Sequence, residues 1–264
     1  MRRFFGNMQV SGNERKEKFC GRVNKTQKST YNNVVEEIII SENVADTAFI
    51  TYLYNGLLDV VTAAGGREEL VFPEGRAAVI LTTEKSDRWV EDSLRERIAE
   101  IIAIGYKYRF LSAKLNACLS AREKRLLCAA LIAADLESDK AFIRRKVELA
   151  TEYCIDGIYA FRMGVLRSKW EKILSYIPEA FSSADLKKFC DYLVGESRRK
   201  IYVKGNCVFG EDFSPLKRSR LLGEEDLETE IMLSDAGYVY CLGDVEDSVG
   251  DFLQKYYAER AVFS

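Results

Sequence analysis

Val34-Val35-Glu36-Glu37-Ile38-Ile39-Ile40 is a β-branched run that closes on Ser41-Glu42-Asn43, and the order of elements after it decides the fold class. From Ala45 to Ala64 the apolar residues Phe49, Leu53, Leu57, Val60 and Val61 recur at helical spacing, and Gly65-Gly66 stops the helix. Glu69 to Phe72 and Ala77 to Thr82 are two short strands, and Pro73-Glu74-Gly75 turns the chain between them. Strand, helix, strand, strand describes a small α+β unit over residues 31–84. Ahead of it, residues 1–30 are polar, lack a sustained period and are interrupted by Gly6, Gly12 and Gly21, which predicts a loosely packed tail.

Downstream, residues 85–197 are helical. Ser86 or Asp87 caps a long helix whose stripe runs Leu94, Ile98, Ile101/Ile102, Gly105, Tyr108, Leu111 or Ser112, and Leu115. A second helix covers about 121–136. Ser138-Asp139 is read as the start of a third, with Ile143, Val147, Ala150, Cys154, Ile158, Phe161 and Val165 on one face. Leu166, Trp170, Ile173, Leu174 and Ile177 continue the pattern up to Pro178. Ser182 or Ser183 caps a helix carrying Leu186, Phe189, Leu193 and Val194.

Residues 198–264 return to mixed structure. Lys200 to Lys204 and Asn206 to Gly210 read as strands around Gly205-Asn206. Next come a helix from Gly223 to Ser234, a strand over Tyr238 to Leu242, a helix from Asp244 to Tyr257 and a final strand from Arg260 to Phe263. The expected fold class is α+β, a helical middle segment flanked by two small sheet-containing units.

The 264 residues include no histidine, which excludes Ser-His-Asp and Cys-His nucleophile systems and HExxH zinc sites. Seven cysteines, at 20, 118, 128, 154, 190, 207 and 241, show no CxxC or zinc-ribbon spacing, so they read as buried, reduced thiols of a cytoplasmic protein. The longest apolar run, Leu126 to Ala134, falls short of the roughly 20 residues of a membrane helix, and Met1 to Asn7 lacks a signal-peptide core. Net charge is −2, so no global basic field draws in nucleic acid.

The acidic clusters have local explanations. Glu224, Glu225 and Asp226 fall in the first turn of an expected helix, and Asp244 and Asp247 have capping-box spacing. No stretch matches a phosphate-binding loop, so no cofactor or metal is expected. Three basic runs stand out: Arg144-Arg145-Lys146, Arg198-Arg199-Lys200 and Lys217-Arg218-Ser219-Arg220. The second leads into a strand whose Tyr202 has the chemistry to stack on a base. Arg162, between Phe161 and Met163, is expected to be partly buried and paired with an acidic or carbonyl group, either within the chain or on a partner.

Ile155-Asp156-Gly157-Ile158-Tyr159-Ala160-Phe161-Arg162-Met163 resembles the Gly-Phe-Ile-x-Phe-Arg-Leu stretch of the YtxC-like sporulation proteins of endospore-forming bacteria. Gly157, Phe161 and Arg162 match it, while Ile158, Tyr159 and Met163 stand where that stretch has Phe, Ile and Leu. The likeness extends to residues 233–240 and 252–260, and covers mainly residues 120–264. It implies a cytoplasmic, sporulation-associated protein and carries no catalytic residues. The leading expectation is therefore a non-enzymatic interaction or assembly factor with a protein partner. A nucleic-acid-binding protein using residues 198–220 comes next, and a carboxylate- or metal-dependent enzyme third.

Overall fold

The computed structural model describes residues 28–30, 33–83, 88–148 and 153–264. It is an α+β fold with a helical middle, as the pattern of elements implies. The first sheet is built on β2 (Asn33–Asn43), which pairs antiparallel along its length with β4 (Arg76–Thr83). β3 (Arg67–Val71) lies beyond β4, with Gly75 turning the hairpin at φ 72°. Along its other edge β2 carries β1 (Lys28–Thr30), antiparallel, and the two-residue β5 (Tyr153–Cys154), parallel. Residues 28–30, expected to belong to the tail, are thus a strand; the rest of that tail and the proposed caps Ser86 and Asp87 lie outside the described residues.

Helix α1 (Thr47–Ala63) packs on this sheet through Phe49, Ile50, Leu53, Leu57 and Val61. Helix α2 (Arg88–Glu100) runs through a wide π-helical turn (Ile101–Tyr106) into α3 (Lys107–Lys114). All six residues of that turn are buried. Gly105 is needed there, because a Cβ would stand 2.5 Å from Cε1 of Phe49.

Helix α4 (Ala121–Glu148) runs unbroken through Ser138-Asp139, correcting the expectation of a new helix start. Asp139 does not cap; its side chain is 1% exposed and accepts hydrogen bonds from Lys107 Nζ, Lys169 Nζ and Trp170 Nε1. The apolar stripe from Ile143 to Val165 is likewise not one helix. Its Ala150 lies outside the described residues, β5 interrupts it, and α5 (Ile155–Arg162) and α6 (Gly164–Leu174) come after. The break is anchored by Asp156, whose carboxylate takes both Nη atoms of Arg76 at 2.8 Å and so ties α5 to β4.

Helix α7 (Ser183–Glu196) opens with a reciprocal capping box between Ser182 and Asp185. The second sheet has the order β10–β9–β6–β7–β8, from β6 (Lys200–Lys204), β7 (Cys207–Phe209), β8 (Pro215–Leu216), β9 (Tyr238–Cys241) and β10 (Ala261–Phe263). β10, β9 and β6 are parallel neighbours; β6, β7 and β8 are antiparallel. Helix α8 (Leu227–Leu233) is N-capped by Asp226, so Glu224 and Glu225 precede the helix rather than fill its first turn. Helix α9 (Asp247–Tyr256) starts after Glu246 without a side-chain cap. The Asp244–Asp247 capping box does not form, because Gly243, at φ 94°, turns the chain and the helix starts three residues later.

One cluster of buried apolar residues runs from Ile38 through the helices to Tyr257. The six described cysteines are unpaired. Cys128, Cys190 and Cys241 are buried, but Cys118 and Cys207 are exposed, contrary to the expectation of uniform burial. Among the described residues, no helix is long and apolar enough to cross a membrane.

Candidate functional site

Side chains alternate along a strand, so the two faces of the second sheet differ in chemistry. Ile201 and Val203 of β6, Val208 of β7, and Val239 and Cys241 of β9 are buried in the common core. The residues between them turn outward. Strand pairing sets Val262, Tyr240, Tyr202, Phe209 and Pro215 side by side, one from each of the five strands. Lys200 and Lys204 stand two residues either side of Tyr202, on the same face and exposed, opposite Tyr238 and Cys207.

The row is ordered by ring contacts. Tyr202 stacks on Tyr240 at 5.6 Å between centroids and on Phe213 at 4.4 Å, the latter with an interplanar angle of 19°. Phe213 sits in the loop between β7 and β8 with φ 58°, a left-handed conformation costing a side-chain-bearing residue about 1–2 kcal/mol. The loop is held by Phe213 N–H donating to Gly210, Gly210 N–H to Ser214, and Ser214 N–H and Oγ to Asp212. Those bonds, the hydroxyl of Ser214 first, hold the Asp212 carboxyl below the usual carboxylate range. The ring so presented is 59% exposed, and Val262 at the opposite end of the row is 43% exposed. Backbone strain and a fixed aromatic edge thus coincide on a solvent-facing surface.

Gly237 fixes how the strand bearing Tyr240 meets the segment leading into β6. Its N–H and that of Tyr238 both donate to the Arg199 carbonyl, and a Cβ at Gly237 would lie 2.0 Å from the Ser197 carbonyl oxygen.

The residues singled out in the sequence divide between this face and other surroundings. Tyr202 is its centre and Lys200 lies on it, with the Lys200 N–H donating to Glu211. Arg198 is exposed just ahead of β6. Arg199 pairs instead with Glu137 of α4, at 3.9 Å. Arg162 ends α5 and is exposed, not buried. The helix turns Ile158 inward and leaves Phe161 89% exposed, so the flanking apolar residues do not enclose Arg162.

The other basic runs are used differently. Arg144 pairs with Glu96, and Lys146 lies over the Phe142 ring. Arg218 folds inward onto Glu100, and Arg220 pairs with Glu225. The three runs therefore do not converge on a single face. Sequence reading missed Tyr240, Phe209, Phe213, Val262 and Lys204. Alternation marks Lys204 and Tyr240 as outward-facing, but nothing local says that their strands are neighbours.

A second feature lies where the segment after Phe213 meets α1. Thr47, Thr51, Tyr52, Asn55, Arg97, Glu100 and residues 214–218 and 220 line a cleft of about 850 Å³. On its wall, buried Glu100 accepts from the Tyr52 hydroxyl at 2.9 Å and Arg97 Nη1 at 2.8 Å, and pairs with Arg218 Nη2 at 3.5 Å. Burial alone would raise the Glu100 carboxyl; Arg218, Arg97 and Lys140 outweigh it and hold the group below its usual range. Burial, and then the Glu100 charge, push the Tyr52 hydroxyl up, so it stays a neutral donor.

A smaller cleft of about 530 Å³ shares Pro215, Leu216, Lys217, Arg220 and Glu225 as a wall, and Asp226, Glu228, Glu230 and Glu246 add carboxylates to a lining that is otherwise apolar or neutral. These carboxylates include structural ones: Glu230 accepts from the N–H groups of Arg218 and Ser219, and Glu228 binds Arg122. Among the described residues, no three Cys, Asp or Glu side chains gather as metal ligands.

No family model matches this chain, and neither a curated protein nor a solved structure does. The chemistry of the outer face limits what it can bind. Phe213 presents an exposed ring for stacking, the half-buried rings of Tyr202, Tyr240 and Phe209 line the face beneath and beside it, and the exposed Lys200 and Lys204 offer counter-charge to anions.

Proposed function

We propose that this protein is a non-enzymatic binding module whose outer sheet face takes single-stranded nucleic acid. The observation that carries the reading is the Val262–Tyr240–Tyr202–Phe209–Pro215 row, with Phe213 stacked on Tyr202 and Lys200 and Lys204 beside it. Every base has a π-face, so a row of aromatic rings accepts bases without strong sequence preference, each stack contributing about 1–3 kcal/mol. Lys200 and Lys204 meet phosphates and make the affinity salt-dependent.

The test is fluorescence anisotropy of labelled oligo-dT and oligo-U at several salt concentrations. Tyr202→Ala and Tyr240→Ala should each weaken binding by roughly tenfold or more. Charge reversal at Lys200 and Lys204 should weaken it and flatten the salt dependence. Absence of binding at low salt, or affinity unmoved by Tyr202→Ala, would refute the proposal.

We further propose a cytoplasmic role in spore formation, supported by the resemblance at residues 155–163, 233–240 and 252–260. Deleting the gene in its host and counting heat-resistant spores tests it. Normal sporulation would remove that setting and leave the binding reading untouched.

A further inference from the structure

The cleft between α1 and residues 214–220 combines features that the sheet face lacks. It is concave, its volume of about 850 Å³ lies in the range of small-molecule sites, and cationic side chains line it. Arg97, Lys217, Arg218 and Arg220 stand against Glu100, Asp59 and Glu225, which leaves one positive charge in excess on a chain whose total is negative.

The arrangement of those charges matters more than their sum. Glu100 is buried and shared by two guanidinium groups and the Tyr52 hydroxyl, so its acceptor capacity is committed. Two arginines are thereby anchored by one carboxylate, and each retains N–H groups beyond those directed at Glu100. Gly56 makes the seat for one of them, since a Cβ there would lie 2.7 Å from Nε of Arg97. Glu225, the partner of Arg220, is 66% exposed, and a solvent-screened pair of that kind is readily exchanged for a stronger anion. The facing wall supplies neutral donors from Thr47, Thr51 and Asn55. The neighbouring 530 Å³ cleft lacks this character, because five carboxylates on its lining face two cations.

We infer that the larger cleft is a binding site for a small phosphorylated ligand of about nucleotide size, held by Arg97, Arg218, Lys217 and Arg220. Arginine forks match phosphate oxygens in pairs, and Tyr52, its hydroxyl donated to Glu100, helps to fix the carboxylate on which two of those forks are seated. The site adjoins the aromatic face at Pro215, and its test separates the two.

Pyrophosphate and ATP are titrated calorimetrically into the full chain, into the double variant Lys217→Gln/Arg220→Gln, and into Tyr202→Ala. The two exchanged side chains lie on the cleft rim, and thermal melting checks that the double variant keeps its fold. The expected result is saturable binding to the unmodified chain, weakened roughly tenfold in the double variant and unchanged in Tyr202→Ala. No saturable binding of either anion, or equal affinity in the double variant, overturns the inference. So does a loss seen only in Tyr202→Ala, which would place the anion on the sheet face.

Discussion

Replacing Asp139 by Asn should unfold this protein more readily than any exposed carboxamide exchange. Asp139 Oδ2 accepts from Lys107 Nζ and Trp170 Nε1, both at 2.9 Å, and Oδ1 accepts from Lys169 Nζ at 2.8 Å. These bonds join α3, α4 and α6 across the middle of the molecule. Burial would raise the Asp139 carboxyl, but Lys107 and Lys169 outweigh it and keep the group ionised well below neutral pH. Asn keeps the volume but removes the charge, and it points an N–H₂ donor at partners that are themselves donors. Lys107, with no solvent exposure, is then left with Asp135 at 3.6 Å. Removing one partner of a buried ion pair costs about 3–5 kcal/mol. For a chain of this size that corresponds to a fall in Tm on the order of 10 °C.

Urea unfolding at neutral pH of the unmodified chain, Asp139→Asn, Lys107→Met and the double variant measures this. The double variant should lose far less than the sum of the singles, because removing both charges leaves neither stranded. As pH falls through the depressed pKa of Asp139, its contribution is lost and the penalty of the Asn variant shrinks. A loss below about 1 kcal/mol in Asp139→Asn, or strict additivity in the double variant, would refute a dry, mutually dependent pair.

Glu42 shows the opposite sign: burial raises its carboxyl from 4.5 to about 7, against hydrogen bonds from the Asn43 N–H and the Tyr106 hydroxyl. The folded state holds that proton longer, so stability should fall by about 3 kcal/mol as pH rises from 4.5 through 7, and Glu42→Gln should flatten the profile in pH-dependent melts. Phe213→Gly relieves the left-handed strain and loses a stack of about 0.5–1.5 kcal/mol, so melting should barely change while oligonucleotide binding weakens. Gly237→Ala, which forces a methyl group against the Ser197 carbonyl, should cost about 3 kcal/mol in chemical unfolding; an unchanged midpoint would mean that β9 moves freely away from β6.

The elements were legible wherever their signal was local. The β2 run, the α1 stripe stopped by Gly65, the Pro73–Gly75 turn and the Ser182 cap each depend on residues within one turn or one hairpin. Asp139 was misread because a helix cap and a buried acceptor call for the same residue type, and only the arrival of Lys107 and Trp170 from other helices decides between them. Likewise Tyr153-Cys154 breaks a helical stripe because β2 offers an unpaired edge, which a periodic pattern cannot register. The aromatic face is hidden for the same reason. β6 and β9 are parallel neighbours separated by more than thirty residues, so Tyr202 and Tyr240 meet only through a register that the sequence does not state.

Net charge bears on the proposed ligands in a related way. A total of −2 argues against a polyanionic ligand only if every charge faces solvent. Among the described residues, the buried charged side chains are five carboxylates, Glu42, Glu100, Asp139, Glu228 and Glu230, against two lysines, Lys107 and Lys140. Those carboxylates are committed to internal donors, and Glu42 retains its proton well above the ordinary carboxylate range. The acids that make the total negative are therefore disproportionately ones already hydrogen-bonded or ion-paired within the fold, Glu100 on the wall of the larger cleft among them. The charges a ligand does meet are decided by strand alternation and by which carboxylates have already been claimed. On those grounds Lys200 and Lys204 beside Tyr202, and Arg97 and Arg218 around Glu100, carry more weight than the sum.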